Sequence, residues 1–201
     1  MTTQLILVSH ALTQWNVEGR IQGHTDVPLN PQGREMAERL ARHLAPETIH
    51  AVYTSDLKRA IQTAAPTAEQ KSLGIQKDIR LREGRIITQE RSDIYPTLPF
   101  PMEVETRTDL YTRMTQALTQ ICLSHDGQTV LVVSHAGSLD IFITALLETS
   151  GKNRLNYQGV RMALNRFTYE SGIFQCLSLN EADFFKMTPS LPQSRIQGMC
   201  K

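Results

Sequence analysis

Two short runs constrain this 201-residue chain more than anything else in it: residues 5–10 (LILVSH) and 129–135 (TVLVVSH). Each is a continuous apolar stretch rich in branched residues and too short to cross a membrane, which reads as a strand buried on both faces, as in a parallel sheet. Each then ends in Ser-His. Open α/β sheets build their binding crevices outside the carboxyl ends of their strands, so His10 and His135 stand where chemistry is expected.

Strand-like and helix-like patterns alternate around these two runs. Residues 16–30 read as a loop that ends in a capping Asn30, with Pro31 suited to the first helical position. Met36, Ala37, Leu40, Ala41 and Leu44 then recur at helical spacing over residues 31–45. Residues 49–54 (IHAVYT) read as a second strand, Ser55-Asp56 as the capping and acidic start of a helix reaching about residue 70, and residues 75–79 as a further strand. Leu110, Met114, Ala117, Leu118 and Ile121 predict a helix over about 104–124, and Leu139, Ile143, Leu146 and Leu147 predict another after Ala136-Gly137-Ser138. Residues 162–169 and 172–179, separated by a turn at Glu170-Ser171-Gly172, read as an antiparallel hairpin closing the sheet. The expected fold is α/β: a three-layer sandwich whose mostly parallel sheet is flanked by helices. One domain over 1–186 is expected, with an irregular insertion at about 84–103 read as a lid or specificity loop, and a loose tail at 187–201.

Charge and cysteine usage narrow the function. With 21 Lys+Arg against 20 Asp+Glu the formal net charge is +1. No global field then favours nucleic acid or an anionic membrane, and an anion site must be local. No run approaches the roughly eighteen apolar residues of a membrane span, and no secretory pattern opens the chain. Cys122, Cys176 and Cys200 are odd in number and widely spaced, which fits reduced thiols in a cytoplasm. No HExxH or CxxC spacing occurs, so no metal site is expected.

The same edge offers a phosphate chemistry. Arg59 falls near the first turn of the helix after Ser55, where unpaired backbone amides and the helix dipole already favour an anion. A neutral imidazole, with an ordinary pKa of about 6.5, is a competent nucleophile toward phosphorus. A guanidinium fork and a second imidazole can carry the equatorial oxygens. Glu83, the acid nearest the start of the irregular segment, can protonate the leaving oxygen. His24, His43, His50 and His125 read as solvated or capping groups, and the methionines as packing.

Four stretches in order then resemble the histidine phosphatase superfamily, which includes phosphoglycerate mutase-like enzymes and small-molecule phosphatases. LVSHALTQWN with GRIQGHTDVPLNPQG resembles its first signature, YTSDLKRAIQTA its second, LRE its third and VVSHAGSL its fourth, over residues 5 to about 179. The resemblance implies a phosphoglycerate mutase-like fold, with His10 as the nucleophile that becomes phosphohistidine. It further implies that Arg59 clamps phosphate, His135 stabilises the transferring group and Glu83 moves the proton. Asn16 and Gln22 fall on side chains that bind phosphate or substrate, and Gly137 lies where the backbone approaches the site. No metal or organic cofactor is implied, and the partner is a small-molecule phosphate ester.

Three residues depart from that pattern. Ser9 stands where the family carries its first phosphate-clamping arginine, Ala11 replaces glycine beside the nucleophile, and Leu12 replaces Glu or Gln. A serine at the phosphate offers one neutral hydrogen bond in place of a charged fork, a loss of roughly 10³-fold or more by analogy with an arginine finger. Arg20, Arg82 and Arg85 are the candidates to fill the vacancy. The leading expectation is a phosphomonoesterase, weakened by Ser9. Its rivals are a catalytically inactive protein that keeps the phosphate pocket, and then a mutase, which the short span after Glu83 disfavours because it leaves little material for a closing lid. On this reading Ser9→Arg raises activity.

Overall fold

Six strands, β1 (Thr3–Ser9), β2 (Ala51–Thr54), β3 (Ile75–Lys77), β4 (Thr129–Ser134), β5 (Leu164–Glu170) and β6 (Ile173–Glu181), form one sheet in the order β3-β2-β4-β1-β5-β6. They are seen in a computed structural model that describes residues 1–84, 105–149 and 159–183. The pairs β2–β3, β2–β4 and β1–β4 are parallel, while β1–β5 and β5–β6 are antiparallel. The helices are α1 (Gln14–Val17), α2 (Pro31–Leu44), α3 (Lys58–Gln70), α4 (Arg107–Ser124) and α5 (Ala136–Thr149).

Alternation along β1 divides the core in two, as the period of a strand requires. Leu5 and Leu7 pack with Leu110, Met114, Leu118, Phe142 and Ile143 from α4 and α5. Ile6 and Val8 pack on the other face with Leu40 and Leu44 of α2 and with Ala60, Ala64 and Ala68 of α3. Three layers result, with the sheet in the middle, and each fully buried Leu or Val contributes on the order of 1.5–3 kcal/mol. Cys122 is buried in the first of these cores, and burial pushes its thiol up to about 12, as suits an unreactive packing residue. Among the described residues no helix is long and apolar enough to cross a membrane.

The elements differ from the expected ones where local chemistry outran periodicity. The loop after β1 contains the single turn α1, made by a capping box in which the Thr13 side chain and Asn16 satisfy each other's backbone amides. Four residues are too few to show a helical period. Helix α3 starts at Lys58, and its N-cap Leu57 has no side-chain cap. Ser55, expected to cap it, turns its hydroxyl to His135 instead. Strand β3 stops at Lys77, and Ile79–Leu81 continue as a 3-10 turn capped by Asp78. Helix α4 begins at Arg107, set by a Thr106–Asp109 capping box. The turn of the β5–β6 hairpin has both central residues at positive φ, Ser171 at 50° and Gly172 at 85°, as a two-residue hairpin turn requires. The expected insertion beyond Gly84 and the tail at 187–201 lie outside the described residues, as do Arg85 and Cys200.

One glycine ties the fold to the nucleophile's loop. Asn30 caps α2 by accepting from the Gly33 amide at 2.7 Å, and the Asn30 amide donates to the Leu12 carbonyl at 3.0 Å. A Cβ on Gly33 would run into that same Leu12 carbonyl, which is backbone and has nowhere to go. Gly33→Ala is therefore expected to destabilise the protein by roughly 1–3 kcal/mol or more despite alanine's better helix propensity, read as a lower urea midpoint.

Candidate active site

Parallel register places the two histidines. Ser9 pairs with Ser134 across β1 and β4, so the next residue of each strand emerges side by side at the carboxyl edge. The His10 amide donates to the Ser134 carbonyl at 2.9 Å, and the two imidazole centroids lie 5.2 Å apart at 61°. His10 is 4% and His135 0% exposed. Both are held neutral, well below the ordinary histidine range. For His10 the causes are burial and then the charges of Arg161 and Arg59; for His135 they are burial and then His10 and Arg59.

Hydrogen bonds assign the ring nitrogens. His10 Nδ1 lies 2.7 Å from the Ala11 carbonyl, which can only accept, so Nδ1 carries the proton and Nε2 the lone pair. Ser55 Oγ, already approached by the Leu57 amide at 3.4 Å, lies 2.7 Å from His135 Nε2. His135 Nδ1 is buried and has no partner, and it carries the ring proton in the tautomer in which the Ser55 hydroxyl donates to Nε2.

Arg59 is fully buried near the start of α3, and its charge is largely committed to the loop before that helix. One terminal nitrogen donates to the Thr25 carbonyl at 2.8 Å and the other to the Gly23 carbonyl at 2.7 Å, leaving Nε buried and without a partner. Burial lowers its pKa to about 10, against the favourable charges of Glu83 and Asp26. The expected fork is thus partly committed to the loop: each terminal nitrogen keeps one further N–H, and Nε has no partner at all. At the first turn of α3 the Lys58 amide is already taken, by Asp26 Oδ1 at 2.7 Å.

Glu83 is fixed by the opposite helix. Its Oε1 accepts from the Ser138 amide at 3.0 Å, and its Oε2 lies 3.4 Å from the Gly137 amide, so the carboxylate caps α5. Gly137 lets it approach: a Cβ there would sit 2.9 Å from Oε1. The backbone leading to Glu83 is clamped at every carbonyl from residue 80 to 83. Arg113 donates to the carbonyls of Arg80, Arg82 and Glu83, Ser134 to Leu81, Ser138 to Arg82 and His24 Nε2 to Glu83. Arg113 and His24 therefore act as positioning residues, which nothing in their local sequence signalled.

The remaining expected residues take varied places. The Thr13 amide donates to Asn16 Oδ1 at 3.1 Å and the Thr13 hydroxyl to Gln22 Oε1 at 3.0 Å, which gathers both amide side chains around the loop after His10. Ala11 is fully buried in the core on the α2–α3 side, so its methyl packs there; its amide donates to Thr63. Ser9 Oγ accepts from the Met162 amide at 3.0 Å. Of the arginines considered for the vacancy, Arg20 stacks on Trp15 at 3.7 Å and pairs with Glu18, while Arg82 is paired bidentately with Asp56 at 2.6 Å.

A further cation comes from outside the motifs. Arg161, in the turn before β5, has its Nη1 buried without a partner, and its charge acts on His10, Arg59 and Glu83. It stands in no motif, and only its nearness in space marks it. Among the described residues the buried side-chain nitrogens that lack a partner are Arg59 Nε, His135 Nδ1 and Arg161 Nη1. The two guanidinium groups act on the histidine pair through their charge, and cationic donors without acceptors suit an anion.

The chain belongs to the histidine phosphatase superfamily, branch 1, whose family model matches residues 5–182. It is 38% identical over 153 residues to phosphoglycerate mutase-like protein 4 of Arabidopsis thaliana, covering 67% of this chain and 66% of that protein. It is 34% identical over 160 residues to phosphoserine phosphatase 1 of Hydrogenobacter thermophilus, covering 72% of this chain and 76% of that one. Among solved structures, Bacillus stearothermophilus YhfR matches with a TM-score of 0.78 at 29% identity over 90% of this chain and 98% of its own.

The buried histidines set an acid limit on stability. Their folded pKa values lie below the unfolded value of about 6.5, so as pH falls through that value the unfolded chain binds protons that the native protein does not. Asp140, raised to about 6 by burial and the charge of Glu83, works in the opposite sense: its contribution is present at low pH and is lost as pH rises through about 6. Two groups oppose one. Stability is expected to fall on acidification from pH 7 to 5, with a net slope approaching ~1.4 kcal/mol per pH unit below pH 6. Urea midpoints across that range check this, and His10→Gln should flatten the slope.

Proposed function

We propose that this protein is a phosphomonoesterase that hydrolyses a small phosphate ester through a phosphohistidine on His10. The observation that carries the proposal is the pair of neutral imidazoles 5.2 Å apart with two arginines whose charges act on them, each holding a buried nitrogen with no acceptor. In the first step the lone pair of His10 Nε2 forms a bond to phosphorus, the ester P–O bond breaks in line, and the leaving oxygen takes the proton of Glu83. In the second, water attacks the phosphohistidine, giving its proton to Glu83 and returning the bonding pair to Nε2. His135 Nδ1 and Arg59 Nε donate to the equatorial oxygens while charge develops on them.

Asn16 and Gln22, held together by Thr13, border the substrate side. The relatives named for phosphoserine phosphatase make phosphoserine the first ester to try, beside p-nitrophenyl phosphate as a generic one. Protein incubated with labelled substrate and quenched in alkaline denaturant should carry base-stable phosphate that a subsequent acid treatment releases, and free phosphate should accumulate. Isomer interchange of phosphoglycerates without phosphate release would instead make the protein a mutase, and no label with no turnover would make it a binding protein.

A further inference from the structure

The anomaly left by the first signature is the missing arginine at position 9. We infer that Arg161 takes over the anion contact of that arginine, and that Ser9 is the residue that holds Arg161 in place, so that the two positions form one relocated phosphate clamp. The inference rests on the phosphatase reading above and adds to it a phosphate-binding residue that no signature contains.

Geometry supports both halves. Residues 160–163 form a turn closed by the Ala163 amide on the Val160 carbonyl at 3.1 Å, with Arg161 and Met162 as its central residues. Met162 has φ of +63°, the left-handed region that a non-glycine residue enters only when its surroundings hold it there. The hold is visible: the Met162 amide donates to Ser9 Oγ at 3.0 Å, a bond spanning 153 residues of sequence at a fully buried place. Only a short side chain with an acceptor can sit at position 9 and make it. An arginine has no acceptor, and would bring a further cation beside Arg59 and Arg161.

The chemistry of Arg161 fits an anion and nothing else nearby. Its Nη1 is buried and unpartnered, an arrangement that a folded protein keeps when a ligand completes it. The charge of Arg161 disfavours that of Arg59, and the carboxylates nearby are Glu83 and Asp26, of which Asp26 is also paired with Lys58, so an incoming phosphate dianion meets net positive charge. Ser9 thus does not leave the site without its second cation. It moves the point of attachment from the end of β1 to the turn before β5.

The test measures inorganic phosphate affinity by calorimetry and kcat/KM for p-nitrophenyl phosphate in the intact chain, for the wild type, Arg161→Ala, Arg161→Lys, Ser9→Arg and the double variant Ser9→Arg/Arg161→Ala. Arg161→Ala should weaken phosphate on the order of 10- to 100-fold and lower kcat/KM by roughly 10³-fold. Arg161→Lys should fall between, and millimolar guanidinium should partly rescue the alanine variant, which a merely structural role would not allow. Ser9→Arg should reduce activity, the reverse of the expectation from sequence alone. Removing Arg161 in that background should recover on the order of tenfold, as coupled neighbours do. His10→Ala run in parallel separates the two claims. If His10→Ala abolishes turnover while Arg161→Ala leaves phosphate binding and kcat/KM at wild-type levels, or if Ser9→Arg raises activity with Arg161 present, the clamp is wrong and the phosphatase reading stands. If His10→Ala retains full turnover, the phosphatase reading itself fails.

Discussion

His10→Gln is expected to lower phosphatase turnover by roughly 10⁴-fold or more while leaving inorganic phosphate binding within about tenfold of wild type. The separation follows from how the site divides its labour. His10 contributes a lone pair on Nε2, kept available because Nδ1 is tied to the Ala11 carbonyl at 2.7 Å. The unpartnered donors for the anion sit on other groups, His135 and the two arginines. Glutamine preserves much of the volume and can donate to Ala11, but has no nucleophilic nitrogen. Phosphoenzyme trapping, steady-state turnover and calorimetry on the same variant read the three properties apart. Turnover persisting at more than a hundredth of the wild-type rate would remove His10 from the chemistry.

Arg59→Met is expected to lower kcat/KM by roughly 10³-fold or more, with a surprisingly small change in stability. Two opposing effects set the second expectation. Burial of this fully enclosed guanidinium pulls its pKa down to about 10, and methionine removes the cost of keeping a charge there. The substitution also breaks charge-assisted bonds to the carbonyls of Gly23 and Thr25, each worth about 1.5–3 kcal/mol. Thr25 is exposed, so its carbonyl can turn to water and the loss falls toward the low end. The net is expected to be within ~2 kcal/mol of zero, a few degrees in Tm. An unfolded Arg59→Met variant would show that the arginine serves mainly to hold the loop at residues 23–25.

The site therefore trades stability for electrostatics in several places at once. Two histidines, two arginines and Asp140 are all displaced from their ordinary titration by burial, while Glu83 is secured as the cap of α5. Such a concentration of perturbed groups around unpartnered donors is the pattern of a functional site, because a pocket kept only for packing would have replaced them with apolar residues of similar volume.

Much of this was legible in the chain before its fold was seen. The branched runs of β1 and β4, the Asn30-Pro31 start of α2, the hairpin turn at residues 171–172 and the two Ser-His strand ends are all local patterns, and local patterns determine local conformation. They are enough to put His10, Arg59, Glu83 and His135 in one α/β frame. The tertiary structure alone decided how those groups are placed: that strand register sets the two rings 5.2 Å apart, that the Arg59 terminal nitrogens donate to loop carbonyls, that Glu83 caps α5, and that the turn bearing Arg161 is tied through the Met162 amide to Ser9. The physical reason is that charge and hydrogen bonding act through space over a few ångströms, so the groups that lie beside Ser9 are set by the folded chain and not by the residues next to it in sequence.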